Sequence, residues 1–127
     1  MRVLLVDKNV YDLEAMCLAL TSPDIEVQTS HDGDRALLAA MGDPPSVVVA
    51  ASSLGQMGGF ALSRELKMLH DRGDIPYVGV VVLLERDVDE WLARWSRCDA
   101  YRTKPVDLDE LELLVRELGT RPQPASV

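Results

Sequence analysis

The sequence is poor in the residue types that build most metal, redox and disulfide sites. It contains two cysteines and two histidines among 127 residues. His31 and His70 lie far apart and have no neighbouring ligand residues, which argues against a zinc site. Cys17 and Cys98 fall within apolar helical patterns and not in a ligand spacing, which predicts free core thiols in a reducing compartment. We therefore expect no metal, no cofactor and a cytoplasmic location.

Basic residues and long apolar segments are also scarce. Thirteen Lys and Arg against 21 Asp and Glu give a formal net charge of −8, the wrong sign for binding a phosphate backbone or anionic lipid through bulk charge. No segment approaches the roughly 20 apolar residues that cross a bilayer, and the first residues resemble neither a signal peptide nor an anchor. We expect no direct binding to nucleic acid or membrane.

The sequence does contain five alternations of a strand pattern with a helical pattern. Strands are predicted at 3–6, 26–29, 46–51, 77–84 and 100–102. Continuous apolar runs in the first, third and fourth of these are typical of strands that are buried on both faces. The pattern predicts an α/β fold, a doubly wound five-stranded parallel sheet of order 2-1-3-4-5. We predict one domain over residues 1–119 and a flexible tail over 120–127.

Ligands and catalytic groups in such a sheet gather beyond the carboxyl ends of the strands. The residues that the sequence delivers there are Asp7 and Lys8, Ala51 and Ser52, residues 82–84, and Thr103 and Lys104. This set is one acid and two lysines around an alanine. Because a buried lysine without a partner is costly, we predict that Asp7 pairs with Lys104, Lys8 or both.

Five short motifs resemble those of the response-regulator receiver domain of two-component signalling. They are Val3-Leu4-Leu5-Val6-Asp7, Asp32-Gly33, Met57-Gly58-Gly59, Ile75-Pro76 and Tyr101-Arg102-Thr103-Lys104-Pro105. The resemblance spans residues 1 to about 119 and implies the flavodoxin-like receiver fold. It also implies a phosphorylation site, in which two adjacent acids hold Mg²⁺, an aspartate accepts phosphate, a Ser or Thr follows the phosphate, and a lysine pairs with it.

Two of these implied roles fall on residues that cannot perform them. The acid pair falls on Asp7 and Lys8, and a lone carboxylate beside an ammonium offers Mg²⁺ few oxygen ligands. The phosphate-accepting aspartate falls on Ala51, which has no nucleophile. A one-residue shift would place Ser52 there, with neither the metal nor the carboxylate chemistry of an acyl phosphate. The resemblance therefore implies a degenerate receiver domain, or pseudo-receiver, with no catalytic residue.

The remaining implied site residues are divided between lost and retained. The Ser/Thr position falls within residues 81–83, with Val82 at its centre, and all three candidates are apolar. Tyr101 and Lys104 are retained. In the resembled family the tyrosine turns in or out with signalling, and for Tyr101 we expect a fixed rotamer because no hydroxyl is available to hold it inward.

The sequence leaves three functions open. The first is a phosphorylation-independent signalling module that acts by binding a protein partner or by dimerising. The second is a sensor in which the two lysines bind an anionic metabolite. The third, an enzyme on a flavodoxin-like sheet, is the weakest, because the sequence lacks the GxGxxG and GxxxxGK[ST] phosphate loops.

The resemblance places the partner surface on the fourth helix, fifth strand and fifth helix, residues 88–118. This stretch carries charges of both signs that suit reciprocal ion pairs about a two-fold axis. The interface candidates are Arg94, Arg97, Arg102, Asp109, Glu112 and Arg116. In the fourth helix, the apolar spacing of Val88, Trp91, Leu92 and Trp95 predicts that both tryptophans pack in the core.

Overall fold

Strands and helices alternate along the computed structural model, which describes residues 1–86 and 90–121. The strands are β1 (Arg2–Val6), β2 (Glu26–Ser30), β3 (Val47–Ala51), β4 (Gly79–Leu84) and β5 (Ala100–Thr103). The helices are α1 (Val10–Leu20), α2 (Gly33–Gly42), α3 (Gly59–Asp71), α4 (Glu90–Ser96) and α5 (Leu108–Thr120). Helix α5 ends one residue beyond the predicted domain boundary, and residues 122–127 of the predicted tail lie outside the described residues.

The five strands form one parallel sheet in the order β2-β1-β3-β4-β5, which confirms the predicted fold class. Strands β1 and β3 are adjacent in the sheet although β2 lies between them in sequence. The carboxyl ends of β1, β3, β4 and β5 therefore meet at one edge. This is the edge at which a doubly wound sheet places its ligands.

Two apolar layers cover the sheet. Leu4 and Val6 of β1 point into the layer under α2, α3 and α4, whereas Val3 and Leu5 point into the layer under α1 and α5. Every residue of β3 and β4 is buried. Burial on both faces explains why these strands are continuous valine- and leucine-rich runs with no polar alternation.

Side-chain caps fix the first turn of three helices. Asn9 accepts hydrogen bonds from the backbone N–H groups of Tyr11 and Asp12 at the start of α1. Asp32 and Asp107 do the same at the start of α2 and α5. These bonds satisfy donors that a helix cannot satisfy internally. The Asn9 cap fixes the chain directly after the end of β1, where Asp7 lies.

The prediction that both tryptophans of α4 pack in the core is wrong. Trp91 is 67% exposed and Trp95 44% exposed. Helix α4 instead buries Ala93 and Ser96, whose small side chains allow close packing on α3, and the Ser63 hydroxyl donates to the Ser96 carbonyl at 3.0 Å. Val88, the other end of the predicted apolar face, lies outside the described residues. Among the described residues, no helix combines the length and the apolar character that a membrane span requires.

Candidate functional site

A buried ion pair joins the ends of the first and last strands. Asp7 directly follows β1 and Lys104 directly follows β5, and the lysine Nζ lies 2.9 Å from Oδ2 of Asp7. The side chain of Asp7 is 1% exposed and that of Lys104 is 14% exposed. The other carboxylate oxygen of Asp7 accepts the backbone N–H of Asn9 at 2.9 Å. This pair confirms the prediction that Asp7 binds Lys104.

Two further carboxylates surround the same ammonium. Lys104 Nζ lies 2.9 Å from Oδ2 of Asp12, in the first turn of α1, and 3.5 Å from Oε1 of Glu85, just after β4. We call Asp7, Asp12, Glu85 and Lys104 the lysine cluster. Burial opposes the charge on Lys104, but the hydrogen bonds to Asp7 and Asp12 outweigh it and raise the pKa of the ammonium. Lys104 is therefore charged at neutral pH, with three negative neighbours.

Lys8 does not join this cluster. Its side chain is exposed, and within residues 1–86 and 90–121 it forms no ion pair. The alternative prediction that Asp7 pairs with Lys8 is therefore not met. The two lysines that the sequence places at this edge differ in their surroundings. Lys104 forms ion pairs and is mostly buried, whereas Lys8 is exposed to solvent.

Ala51 is the last residue of β3, which lies between β1 and β4 in the sheet. It is fully buried and lies opposite Leu83 of β4, and the N–H of Ser52 donates to the Leu83 carbonyl at 2.8 Å. The first residue of α3, Gly59, passes so close that a Cβ there would lie 2.5 Å from the Ala51 carbonyl oxygen. Only glycine allows this approach, so the loop between β3 and α3 is held against the strand end.

Ala51 pairs with Leu83 of β4. The range predicted for the Ser/Thr position is residues 81–83, with Val82 at its centre. Val82 is fully buried in the layer under α2, α3 and α4. Leu83 lies in the other layer and lines a cavity together with Lys104. Adjacent strand residues point to opposite faces, so a prediction uncertain by one residue could not select the face.

Tyr101 is bonded toward α4 and not toward the lysine cluster. Its hydroxyl donates to Oε1 of Glu90 at 3.0 Å. This hydrogen bond, together with burial, raises the pKa of the Tyr101 hydroxyl. The contact ties the middle of β5 to the first turn of α4. Whether the rotamer is fixed stays a prediction.

Three of the four predicted interface arginines already form ion pairs within the chain. The pairs are Arg97 with Asp71 at 2.6 Å, Arg102 with Glu110 at 2.6 Å, and Arg116 with Asp24 at 2.6 Å and with Glu112 at 3.0 Å. Arg94 and Asp109 are exposed and form no ion pair within the described residues. The residues that remain open for a partner are therefore fewer than the sequence suggested.

A second buried charge network lies at the opposite, amino-terminal edge of the sheet. Lys67 of α3 is 2% exposed and donates to the Val78 carbonyl at 2.7 Å and to Oδ2 of Asp99 at 2.6 Å. Asp99 also accepts the N–H of Val80 at 2.7 Å and the hydroxyl of Tyr77. The Lys67 ammonium lies 3.9 Å from the centre of the Tyr77 ring. This network joins α3 to the starts of β4 and β5.

Burial dominates the ionisation of this network. It lowers the pKa of Lys67 even though Asp99 favours the charged form. It also raises the pKa of Tyr77, with the Asp99 hydrogen bond acting in the same direction. No local sequence pattern predicts the network, because its members are far apart in the chain. The available signal was a lysine at 67 beside the apolar positions 66 and 69 of α3.

Asp12 and Glu85 were not among the site residues predicted from the sequence. Glu85 follows directly after β4, so its place at the carboxyl edge of the sheet was open to the same reasoning that found Asp7 and Lys104. Asp12 comes from a helix, and no strand-end rule points to it. Its contact with Lys104 depends on how α1 lies across the sheet.

Comparisons with known proteins agree with the fold. No family model matches the chain. Response regulator PleD of Caulobacter vibrioides is 31% identical over 117 residues, which are 92% of this chain and 26% of that protein. The probable transcriptional regulatory protein TcrX of Mycobacterium tuberculosis is 31% identical over 121 residues, 94% of this chain and 50% of that protein. The chain thus spans half or less of the length of these relatives.

Among solved structures, the receiver domain of the Francisella response regulator 1452 superposes with a TM-score of 0.79 at 25% identity. The match covers 93% of this chain and 95% of that one. Together, the fold and the sequence relatives support a response-regulator receiver domain.

Proposed function

We propose that this receiver domain signals without phosphorylation, as a non-enzymatic module that binds a protein partner or a second copy of itself. The observation that carries the proposal is the chemistry of the strand-end residues. By the resemblance, the phosphate-accepting position is Ala51, a buried methyl group, and the second metal-binding acid is Lys8. An acyl phosphate needs a carboxylate nucleophile, and Mg²⁺ needs several oxygen ligands.

The lysine cluster supports a single, permanent state. In the resembled family the lysine pairs with the phosphate, whereas Lys104 here pairs with three carboxylates of its own chain. The buried pair with Asp7 holds the ends of β1 and β5 together. A partner surface that is coupled to this edge would therefore be presented constitutively, and binding would be set by concentration and salt.

The same cluster weakens the alternative of an anionic metabolite. An anion that approaches Lys104 meets the carboxylates of Asp12 and Glu85, whose side chains are 46% and 53% exposed. Like charges at short range disfavour such a complex. Lys8 alone is an exposed point charge, which gives an anion little specificity.

We propose α4, β5 and α5 as the partner surface. Two contacts brace it from within, Tyr101 to Glu90 and Arg102 to Glu110. Arg94 lies exposed in a groove of about 580 Å³ on this surface. With the net charge of −8, we propose a cytoplasmic protein partner and no direct contact with nucleic acid or membrane.

Charge reversal tests this surface. Arg94→Glu and Arg102→Glu should weaken self-association, or capture of partners from the native cell, and leave the unfolding midpoint nearly unchanged. Arg35→Glu is the matched control, because Arg35 is 84% exposed on α2, on another part of the molecule. Sedimentation velocity and pull-down should give the same result with and without acetyl phosphate and Mg²⁺. Association that requires the phosphodonor, or that responds to Arg35→Glu alone, would contradict the proposal.

A further inference from the structure

We infer that the cavity beside the lysine cluster binds a small organic cation, an ammonium or guanidinium group carried on an apolar body. The inference is independent of the proposed function, because it depends on the cavity and its charges and not on the absence of phosphorylation. In the sequence, the two lysines at this edge suggest an anionic ligand, whereas the cavity favours a cation.

The cavity has the size and wall of a ligand site. It encloses about 380 Å³ beside α1 and the segments that follow β4 and β5, within the roughly 300–1,000 Å³ of small-molecule pockets. Much of its wall is apolar and comes from Ala15 and Met16 of α1, Leu83 of β4, and Val106 and Leu108 beyond β5. These side chains suit an alkyl or aryl body.

The charged groups of the wall are Asp12, Glu85 and Lys104. The charge of Lys104 is already balanced by Asp7, which lies 2.9 Å away and is 1% exposed. Asp12 and Glu85 are then two negative charges in excess, and both are about half exposed. The cavity therefore offers apolar walls for the body of a ligand and a net negative charge for its cationic group.

One bound cation can reach both carboxylates. Asp12 and Glu85 each have an oxygen within 3.5 Å of the same atom, Lys104 Nζ, so their oxygens lie close together. A ligand cation placed on their solvent side pairs with both of them, while Lys104 keeps its buried partner. An anion of the same shape gains only Lys104 and is repelled by two carboxylates.

A three-ligand titration tests the charge rule. The probes are 2-phenylethylammonium, the anion 3-phenylpropionate and the neutral 2-phenylethanol, followed by heteronuclear NMR of the full chain. We expect saturable shifts at Ala15, Leu83 and Val106 with the cation, and binding of the other two that is weaker by roughly tenfold or more. Added salt should weaken binding of the cation.

Three variants separate charge from shape. Asp12→Asn combined with Glu85→Gln should weaken binding of 2-phenylethylammonium roughly tenfold. Asp34→Asn combined with Glu65→Gln changes the charge equally at exposed sites outside the cavity and should leave binding unchanged. Ala15→Phe, on an exposed position of α1, should block the cavity without altering its charge.

Several results would overturn the inference. They are equal or tighter binding of 3-phenylpropionate or 2-phenylethanol, shifts that map to another surface, and equal weakening by the control variant. Undiminished binding in Ala15→Phe would also exclude this cavity. Each of these outcomes leaves the proposed function standing, because no arm of the experiment involves phosphate or a protein partner.

Discussion

The two members of the Asp7–Lys104 pair should contribute unequally to stability. Within residues 1–86 and 90–121, Asp7 has one ionic partner, whereas Lys104 has three. Lys104→Met therefore leaves a carboxylate that is 1% exposed with only the N–H of Asn9. Asp7→Asn leaves the ammonium with Asp12 and Glu85, and its own amide oxygen can still accept the Asn9 N–H.

The magnitudes follow from this difference. Removing one member of a buried ion pair costs about 3–5 kcal/mol when the other is left uncompensated, which we expect for Lys104→Met. For Asp7→Asn we expect about 1–2 kcal/mol, because the two half-exposed carboxylates still compensate Lys104. The double variant should cost less than the sum, with a coupling of about 2 kcal/mol.

Urea unfolding at neutral pH measures all three variants, with an unchanged m-value as the check that only stability has changed. The matched cycle is Arg102→Met with Glu110→Gln, a pair whose side chains are 41% and 52% exposed. Its coupling should be about 0–1 kcal/mol. An equal cost for Asp7→Asn and Lys104→Met, or additive costs in the double variant, would show that Asp7 does not depend on Lys104 alone.

Three further predictions concern the rest of the fold. The free energy of unfolding of the wild type, relative to that of Lys67→Met, should rise with pH in the alkaline range below the ordinary lysine value of 10.5, because burial lowers the pKa of Lys67 and the unfolded chain holds its proton more tightly; urea melts across that range should show this difference widen, whereas the raised pKa values of Tyr77 and Lys104 act in the opposite direction in both proteins. Trp95→Ala should cost about 1 kcal/mol in a urea melt, against about 2–5 kcal/mol for Leu66→Ala, since the ring is 44% exposed and Leu66 is 1% exposed; equal costs would contradict the exposed placement. Gly59→Ala should lower the thermal midpoint, because its Cβ would meet the Ala51 carbonyl at 2.5 Å, whereas Gly42→Ala, with nothing within 4 Å, should leave the midpoint unchanged or raise it.

The sheet and the central ion pair could be predicted because they depend on local patterns. The valine-rich runs of β3 and β4 are apolar at every position, since both faces are buried. Once the strand order is known, the residues after each strand must meet at one edge. That rule predicts that Asp7 and Lys104 lie close together although they are far apart in the chain.

The sequence could not predict features that depend on the choice of a packing face. The tryptophans of α4 lie at helical spacing, but the helix packs through Ala93 and Ser96. The partners of Lys67 are Val78 and Asp99, which directly precede β4 and β5, and no local pattern links them to it. The contact of Asp12 with Lys104 likewise depends on how α1 lies across the sheet.

Intact-mass spectrometry after incubation with acetyl phosphate and Mg²⁺ tests most directly whether this domain works without phosphorylation. The variant Lys8→Asp with Ala51→Asp supplies the acid and the nucleophile that the resemblance requires, and it is the positive control. We predict that the wild type keeps its mass, while the variant gains one phosphoryl group that hydroxylamine removes. A hydroxylamine-sensitive phosphoryl group on the wild type would contradict signalling without phosphorylation.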